Sequence, residues 1–212
     1  MNKLEKMVLK ILMNLKEQFK MTNQVDVKEL LLKAEGLLSG HFCLTSGLHS
    51  DTYFQCAKLY QYPDIVETLA KELAKKLQNV EFDTIVAPAI GAVIFGYEVA
   101  KQSKKRNLFV ERKDGQMQLR RGYQLKKGER VVIIEDVITT ARTIFETMEA
   151  IKEFDCKVVG VGCIVDRTQG KMDDKFKIYS LLQSSPVTYE PNNCPLCEQG
   201  IELVKPGSRV GR

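Results

Sequence analysis

The sequence lacks the long apolar runs that membrane spans require, since no stretch approaches the ~20 residues that cross a bilayer. Its first residues mix charged and apolar positions without a continuous apolar core before a small-residue site, so we expect no signal peptide. Internal repeats and low-complexity segments are also missing. These absences predict a cytoplasmic protein without a membrane partner.

Two nucleotide-binding signatures are missing as well. No Gly-x-Gly-x-x-Gly follows a predicted strand and no Gly-x-x-x-x-Gly-Lys-Ser/Thr occurs, which argues against dinucleotide and P-loop enzymes. The net charge of +5 is modest, and no helix-turn-helix pattern or basic-aromatic stripe is present, so no nucleic-acid partner is expected. The 212 residues, 44% of them hydrophobic, fit one globular domain with a small appended subdomain.

The clearest pattern that is present lies at residues 131–143. Four β-branched residues, 131–134, predict a strand buried on both faces, as in a parallel sheet. Glu135 and Asp136 follow, and then a turn that opens a helix over 144–154. Ligands of such sheets bind beyond the carboxyl ends of the strands, and the amino end of a helix favours an anion. Hydroxyl donors for a phosphate are offered by Thr139, Thr140 and Thr143. If the two carboxylates also bind the neighbouring hydroxyls of a sugar, this stretch suits a ribose 5-phosphate.

Residues 135–143 resemble the phosphoribosyl pyrophosphate (PRPP) motif of the type I phosphoribosyltransferases. That motif has an apolar strand, two acids, two variable residues and Thr-Thr-Gly-x-Ser/Thr. The resemblance implies an α/β fold, with a parallel sheet flanked by helices and a small hood subdomain. It also implies PRPP contacts from Glu135, Asp136, Val137, Ile138, Thr139, Thr140, Ala141, Arg142 and Thr143. Ala141 replaces the usual glycine, and alanine disfavours a positive φ.

The segment 40–54 has short apolar stretches around Ser46-Gly47, which predicts a hairpin. On its own it would be an ordinary exposed hairpin. Beside the ribose-phosphate motif, it is similar to the hood of orotate phosphoribosyltransferases, which implies orotate contacts from Thr45, Tyr53 and Phe54. Many members have a lysine where this chain has Thr45.

Arg167 follows a predicted strand over 158–165 and should point toward the same cleft. It matches the arginine that binds the orotate carboxylate in the family, and with Thr139 it completes the implied orotate contacts. An ion pair with Asp166 or another acid is the alternative.

The polar segment 111–122 holds four cations and two glycines, which is too irregular for a stable element. It is either a solvated hairpin or a mobile lid that closes cations over pyrophosphate. Arg112 and Lys113 match the leading pair of the family's lid, which reaches into the neighbouring subunit of a homodimer. The resemblance thus implies catalytic roles for Arg112, Lys113 and Asp136, while Arg120 or Arg121 could complete the lid.

The implied reaction joins orotate to PRPP, giving orotidine 5′-monophosphate and pyrophosphate in pyrimidine (UMP) biosynthesis, with Mg²⁺ carried by PRPP. A purine phosphoribosyltransferase is the competing enzyme, because it shares the central motif. A regulator that senses PRPP is the competing class.

The rest of the chain is predicted from periodicity. Amphipathic spacing predicts a helix over 2–20, and a second helix capped by Asp26 with Leu37 and Leu38 on its apolar side. Further helices are predicted over 63–78 and 93–100, strands over 84–87 and 108–110, and a last hood strand over 176–182. Between strand and helix, residues 88–92 match the family's pyrophosphate loop.

Cys194 and Cys197 form one Cys-x-x-Cys, which is half a zinc site. We interpret it as a turn with free thiols, and the alternative is a zinc ion shared by two tails of a dimer. His41 and His49 are predicted to be surface or hydrogen-bonded residues, and no metal ligand is assigned. The predicted organisation is N-terminal helices over 1–38, the phosphoribosyltransferase domain with its hood over 39–190, and the cysteine tail over 191–212.

Overall fold

The computed structural model describes residues 25–44 and 46–206. The helix predicted over 2–20 and the predicted orotate contact Thr45 lie outside the described residues. Within the described ranges, no helix combines the length and the apolar character that crossing a membrane would demand.

Two sheets organise the described residues. The larger sheet has the strand order β5-β4-β3-β6-β7-β8, in which every neighbouring pair is parallel except β4 and β5. The smaller is an antiparallel sheet of order β1-β2-β9, which forms the hood. Their bounds are β1 Leu37–Cys43, β2 His49–Phe54, β3 Thr84–Pro88, β4 Arg106–Lys113, β5 Gln116–Leu119, β6 Arg130–Ile138, β7 Lys157–Asp166, β8 Ile178–Gln183 and β9 Thr188–Tyr189.

Helices cover both faces of the larger sheet. Their bounds are α1 Val27–Lys33, α2 Pro63–Leu77, α3 Val93–Ser103, α4 Arg142–Ile151 and α5 Pro195–Glu198. Leu69 and Leu73 of α2 and Phe95 of α3 share one apolar core, whereas Ile144 and Ile151 of α4 belong to a second core. The predicted parallel sheet flanked by helices is confirmed.

The apolar run of β6 divides between these two cores. Val132 and Ile134 face the core with α2 and α3, and Val131 and Ile133 face the core with α4. All four side chains are fully buried. Because successive side chains of a strand point to opposite faces, a strand covered on both sides must be apolar at every position.

The helix predicted after Asp26 is shorter than expected. Asp26 caps it, since its side chain accepts a hydrogen bond from the Glu29 amide at 3.0 Å. The helix ends at Lys33, Glu35 adopts a left-handed φ of 52°, and the chain then turns into β1. Leu37 and its neighbour Leu38 are therefore strand residues, and their assignment to the helix was wrong.

Two further expectations need correction. The segment predicted to be too irregular for a stable element forms the β4–β5 hairpin, with Arg112 opposite Met117 and Lys113 opposite Gln116. Met117 is buried against α4's core, which gives this charged hairpin an apolar anchor. The strand predicted over 176–182 is β8, which pairs with β7 in the larger sheet, so the last hood strand is β9 instead.

The two histidines are buried between the hood strands and the tail. His41 is 2% exposed and His49 is 6% exposed, and Nε2 of His41 lies 2.9 Å from Nδ1 of His49. The expectation of a surface position was wrong for both side chains, while the expectation of hydrogen bonding is confirmed.

Candidate active site

The acid pair lies at the carboxyl end of β6, where the sequence placed it. Glu135 is buried, and its Oε1 accepts a hydrogen bond from the Asp136 amide at 3.1 Å. Oδ1 of Asp136 accepts one from the Val137 amide at 2.7 Å. Burial, together with the neighbouring charge of Asp136, raises the pKa of Glu135 well above its usual value, and burial raises the pKa of Asp136. Two such carboxylates favour hydroxyl donors or a cation as partners.

A cavity of about 230 Å³ opens beside the acid pair. It is lined by Pro88, Ala89, Gly91, Glu135, Asp136, Val137 and Thr143. It thus joins the end of β3, the acid pair of β6 and the start of α4, as the topology of a parallel sheet predicts. A larger cavity of about 780 Å³, which includes Phe82 and Arg130, lies at the amino ends of β3 and β6 and contains none of the predicted site residues.

The turn before α4 leaves hydrogen-bond donors exposed. Thr139 and Thr140 are exposed, and α4 begins at Arg142 without a side chain capping its first turn. The amide groups of that turn therefore remain free for a ligand, and the helix dipole favours a negative charge there. The predicted phosphate residues are thus brought together around one turn.

Ala141 occupies the left-handed conformation that the family's glycine would adopt more easily. Its φ is 57° and its ψ is 13°, and its side chain is buried. A left-handed L-residue costs roughly 1–2 kcal/mol relative to the right-handed region. The turn therefore keeps its shape with alanine, at some cost in stability.

Replacing Ala141 by glycine is expected to change the free energy of unfolding by less than about 0.5 kcal/mol. Relief of the left-handed strain offsets the loss of a buried methyl group and the greater backbone freedom of glycine. The matched control is Ala150→Gly in the last turn of α4, where the residue is right-handed, and it should destabilise by about 0.5–1 kcal/mol. Urea unfolding of the two variants checks this, and equal losses for both would show that Ala141 carries no strain.

The loop after β3 places Gly91 against Asp136. A Cβ added to Gly91 would lie 3.4 Å from Oδ2 of Asp136, in van der Waals contact with the carboxylate, so a longer side chain could occupy the space beside it. The hydroxyl of Tyr60 donates to the Gly91 carbonyl at 2.5 Å, and burial raises the pKa of Tyr60, which keeps the hydroxyl protonated. Sequence reasoning missed Tyr60, because its only signal is an aromatic residue in the short 3₁₀ helix Cys56–Gln61.

Arg167 lies at the end of β7 and meets the hood. Its guanidinium carbon is 5.9 Å from the centre of the Phe54 ring, and its Nε is buried without a hydrogen-bond partner among the described residues. Burial lowers the pKa of this guanidinium, so an anion brought here would gain a desolvated partner. Burial and the charge of Asp136 raise the pKa of Tyr53. The structure thus brings Tyr53, Phe54 and Arg167 to one side of the acid pair.

The β4–β5 hairpin extends beyond the carboxyl edge of the sheet. Its pairing with β3 stops at Val110, so Arg112 and Lys113 project past that edge. Arg112 forms an ion pair with Glu146 of α4 and donates to the Gly115 carbonyl at 2.6 Å. Lys113 is exposed and forms no ion pair within the described part of the chain.

The two remaining lid candidates are held at the base of the hairpin. Arg120 and Arg121 both bind the Glu111 carboxylate, at 3.1 and 3.0 Å. Glu111 thus orients both guanidinium groups together. Of the four cations, Lys113 is the one with a free ammonium group in the described structure.

Fold and site together define a phosphoribosyltransferase, and comparison with known proteins agrees. The sequence matches the phosphoribosyl transferase domain over residues 57–197. It is 49% identical over 183 residues to the orotate phosphoribosyltransferase of Caldanaerobacter subterraneus, covering 86% of this chain and 96% of that protein. For the orotate phosphoribosyltransferase of Thermotoga maritima the identity is 47% over 183 residues, covering 86% and 98%. The chain belongs to the orotate phosphoribosyltransferase family.

A solved structure shows the same fold. The crystal structure of orotate phosphoribosyltransferase from Aeropyrum pernix aligns with a TM-score of 0.63 at 22% identity, covering 73% of this chain and 92% of that chain. The predicted fold is therefore confirmed by the topology and by this likeness.

Proposed function

We propose that the chain transfers the ribose 5-phosphate of PRPP to orotate, giving orotidine 5′-monophosphate and pyrophosphate. The observation that carries this proposal is the position of Arg167. Its buried Nε has no partner among the described residues, its guanidinium lies against the Phe54 ring, and the charges of both Arg167 and Asp136 act on Tyr53. The half-buried ring of Tyr53 and this desolvated guanidinium suit a flat base that bears a carboxylate, whereas Phe54 is buried in the core behind them.

The reaction is a displacement at the anomeric carbon of the ribose. A ring nitrogen of orotate forms the new C–N bond and gives up its proton to solvent or to the leaving pyrophosphate, while the C–O bond to pyrophosphate breaks and its electron pair leaves with pyrophosphate. Orotate is an anion, and the site offers no obvious general base among its described residues, so the protein acts mainly by positioning and charge stabilisation. Glu135 and Asp136 hold the ribose hydroxyls and stabilise the positive charge that develops on the ring.

The phosphate end of PRPP belongs in the turn before α4. The free amides of its first turn and the exposed hydroxyls of Thr139 and Thr140 supply donors for the phosphate oxygens. The loop with Gly91 leaves room for pyrophosphate beside Asp136, because no side chain intervenes. Thr139 directly follows Ile138, whose carbonyl accepts from the Arg167 amide at 2.8 Å, so it also lies near the predicted base pocket.

Mg²⁺ fits the donor set of this site. Glu135 and Asp136 offer carboxylate oxygens, which hard divalent cations prefer, and their raised pKa values indicate that a positive partner would stabilise the ionised pair. When bound with PRPP, the ion would neutralise charge on the leaving pyrophosphate. The acid pair orients the ribose, and Arg112 and Lys113 add positive charge at the same edge.

A homodimer with a shared lid is part of the proposal. Three large apolar side chains near the site are exposed: Ile90 at 87%, Ile94 at 50% and Tyr97 at 61%. Ile94 and Tyr97 lie three residues apart on α3 and so share one face. A second copy of the chain would cover this surface and bring its own hairpin close to the site. The cytoplasmic location remains a prediction, which the free cysteines of the described residues favour.

The test follows the absorbance of orotate with PRPP and Mg²⁺, with adenine, hypoxanthine and uracil in parallel. We expect loss of orotate that added pyrophosphate reverses, and no turnover of the other bases. Turnover of a purine instead would overturn the assignment of Arg167 and the hood. PRPP binding without turnover of any base would favour a PRPP-sensing regulator.

A further inference from the structure

Four metal-binding side chains from distant parts of the chain converge at the edge of the hood. His41 belongs to β1, His49 to β2, and Cys194 and Cys197 to the tail. One ligand atom of each lies within 4.8 Å of the other three. The Cys-x-x-Cys alone supplies two metal ligands. With the two histidines, a single chain supplies four.

Four of the six ligand-to-ligand distances lie close to the edges of a tetrahedral site, and the other two, from Sγ of Cys194 to His49 and to Cys197, are at most 4.8 Å. Zn–N bonds of about 2.0–2.1 Å and Zn–S bonds of about 2.3 Å give N···S edges of about 3.5–3.6 Å and an N···N edge of about 3.3–3.4 Å. Nε2 of His41 lies 3.5 Å from Sγ of Cys194 and 3.7 Å from Sγ of Cys197, and Nδ1 of His49 lies 3.4 Å from Sγ of Cys197. The two ring nitrogens, 2.9 Å apart, need to separate by only about 0.4 Å.

The surroundings of His41 favour its role as a ligand. Its Nδ1 lies 2.8 Å from the Ile201 carbonyl, and when Nδ1–H donates to that oxygen, the lone pair of Nε2 faces the cluster. Metal-bound histidines are commonly oriented in this way by a carbonyl that accepts from the second nitrogen. Cys194 is also buried, and both thiols are free.

We propose that His41, His49, Cys194 and Cys197 bind one zinc ion per chain. Two thiolates and two imidazoles in a tetrahedron are a typical donor set for zinc. All four positions are filled by the protein, which leaves no place for a substrate or a reactive water. The site is therefore structural, it is separate from the acid pair, and it does not depend on the proposed reaction.

The ion would hold the tail against the hood. Val204 already donates from its amide to the His41 carbonyl at 2.8 Å, and its carbonyl accepts from the Cys43 amide at 2.8 Å. Among the tail residues 191–206 Cys194 is the one buried side chain, so a metal would add stability that the packing of the tail lacks. Tyr53 and Phe54 lie at the end of β2, the strand that begins with His49, so the ion would also steady the proposed base pocket.

The test measures metal content in protein purified without a polyhistidine tag and without chelators. Mass spectrometry of the elements should find about one zinc per chain, and X-ray absorption should find two sulfur and two nitrogen neighbours at about 2.3 and 2.0–2.1 Å. Cys197→Ser should lose most of the zinc. Cys43→Ser is the matched control, because this hood cysteine lies outside the cluster, and it should retain the metal.

A second readout tests the structural role. Removing zinc with a chelator should lower the unfolding temperature of the wild-type chain and of Cys43→Ser, and should leave Cys197→Ser nearly unchanged. Three findings would overturn the proposal: wild-type protein free of zinc, a disulfide between Cys194 and Cys197 in protein kept under reducing conditions, or one zinc per two chains bound by four thiolates. The last result would instead place the ion between two tails.

Discussion

Arg167→Ala is expected to raise the KM for orotate about 100-fold while changing the KM for PRPP less than about threefold, since only the base carries the carboxylate that this guanidinium would bind. A 100-fold loss corresponds to about 2.8 kcal/mol, a usual cost of removing a charged partner from a half-buried pair. Arg167 is half-buried and its Nε has no partner among the described residues, so its removal breaks no hydrogen bond of Nε within that part of the protein. Steady-state kinetics with each substrate varied in turn measures the two constants.

Two further variants sharpen this test. Arg167→Lys keeps the charge but loses the planar fork, so it should recover only part of the orotate affinity. Arg130→Ala is the matched control: Arg130 pairs with Asp83 at the opposite end of β6, and its loss should leave both KM values unchanged. Equal losses for orotate and PRPP in Arg167→Ala would remove Arg167 from the base pocket.

The central motif could be predicted from sequence because its physics is local. A four-residue apolar run has one environment that suits it, a strand covered on both faces, and the carboxyl end of that strand fixes where Glu135 and Asp136 lie. The left-handed conformation of Ala141 is the one that the family's glycine at this position implies, although alanine itself disfavours it. The type of fold and the residues on the phosphate side of the candidate site could therefore be predicted from the sequence.

For the hairpin at 106–119 the sequence left a solvated hairpin and a mobile lid as alternatives, and its stability could not be predicted because tertiary contacts supply it. Its outer residues are mostly charged or polar, and the anchor is the side chain of Met117 in the core beneath α4. Arg112 is held by Glu146, which is 34 residues away in the chain. The same limit applies to the metal cluster, since His41 and Cys194 are separated by 153 positions and only the folded hood brings them together. After α1, Leu37 and Leu38 continue the helical spacing of the leucines beyond Glu35, where the chain turns. The helix was therefore predicted to be longer than it is.

Lys113→Ala is expected to lower kcat about 100-fold, because this ammonium is the hairpin cation left free in the described structure to meet the departing pyrophosphate. The unfolding temperature should not change, since the side chain is exposed. Lys127→Ala is the matched control, as Lys127 is an exposed lysine that pairs with Asp155 and precedes β6, at the opposite end of that strand from the acid pair. Turnover at the wild-type rate in Lys113→Ala would remove the lid role.

A mixture of two inactive variants then shows whether the lid acts on the active site of its own subunit or on that of the neighbouring subunit. One chain carries Lys113→Ala, and the other carries Glu135→Gln with Asp136→Asn and keeps its lid. If each hairpin acts on the neighbouring subunit, a heterodimer combines one intact acid pair with one intact lid, so a random equimolar mixture should regain roughly a quarter of the wild-type activity. If each hairpin serves its own subunit, no heterodimer contains a complete site and the mixture stays inactive. Native mass spectrometry must verify that the chains have exchanged and formed heterodimers. If heterodimers are present and activity does not recover, the lid is not shared between subunits. Lys113 would then be a lid residue of its own chain.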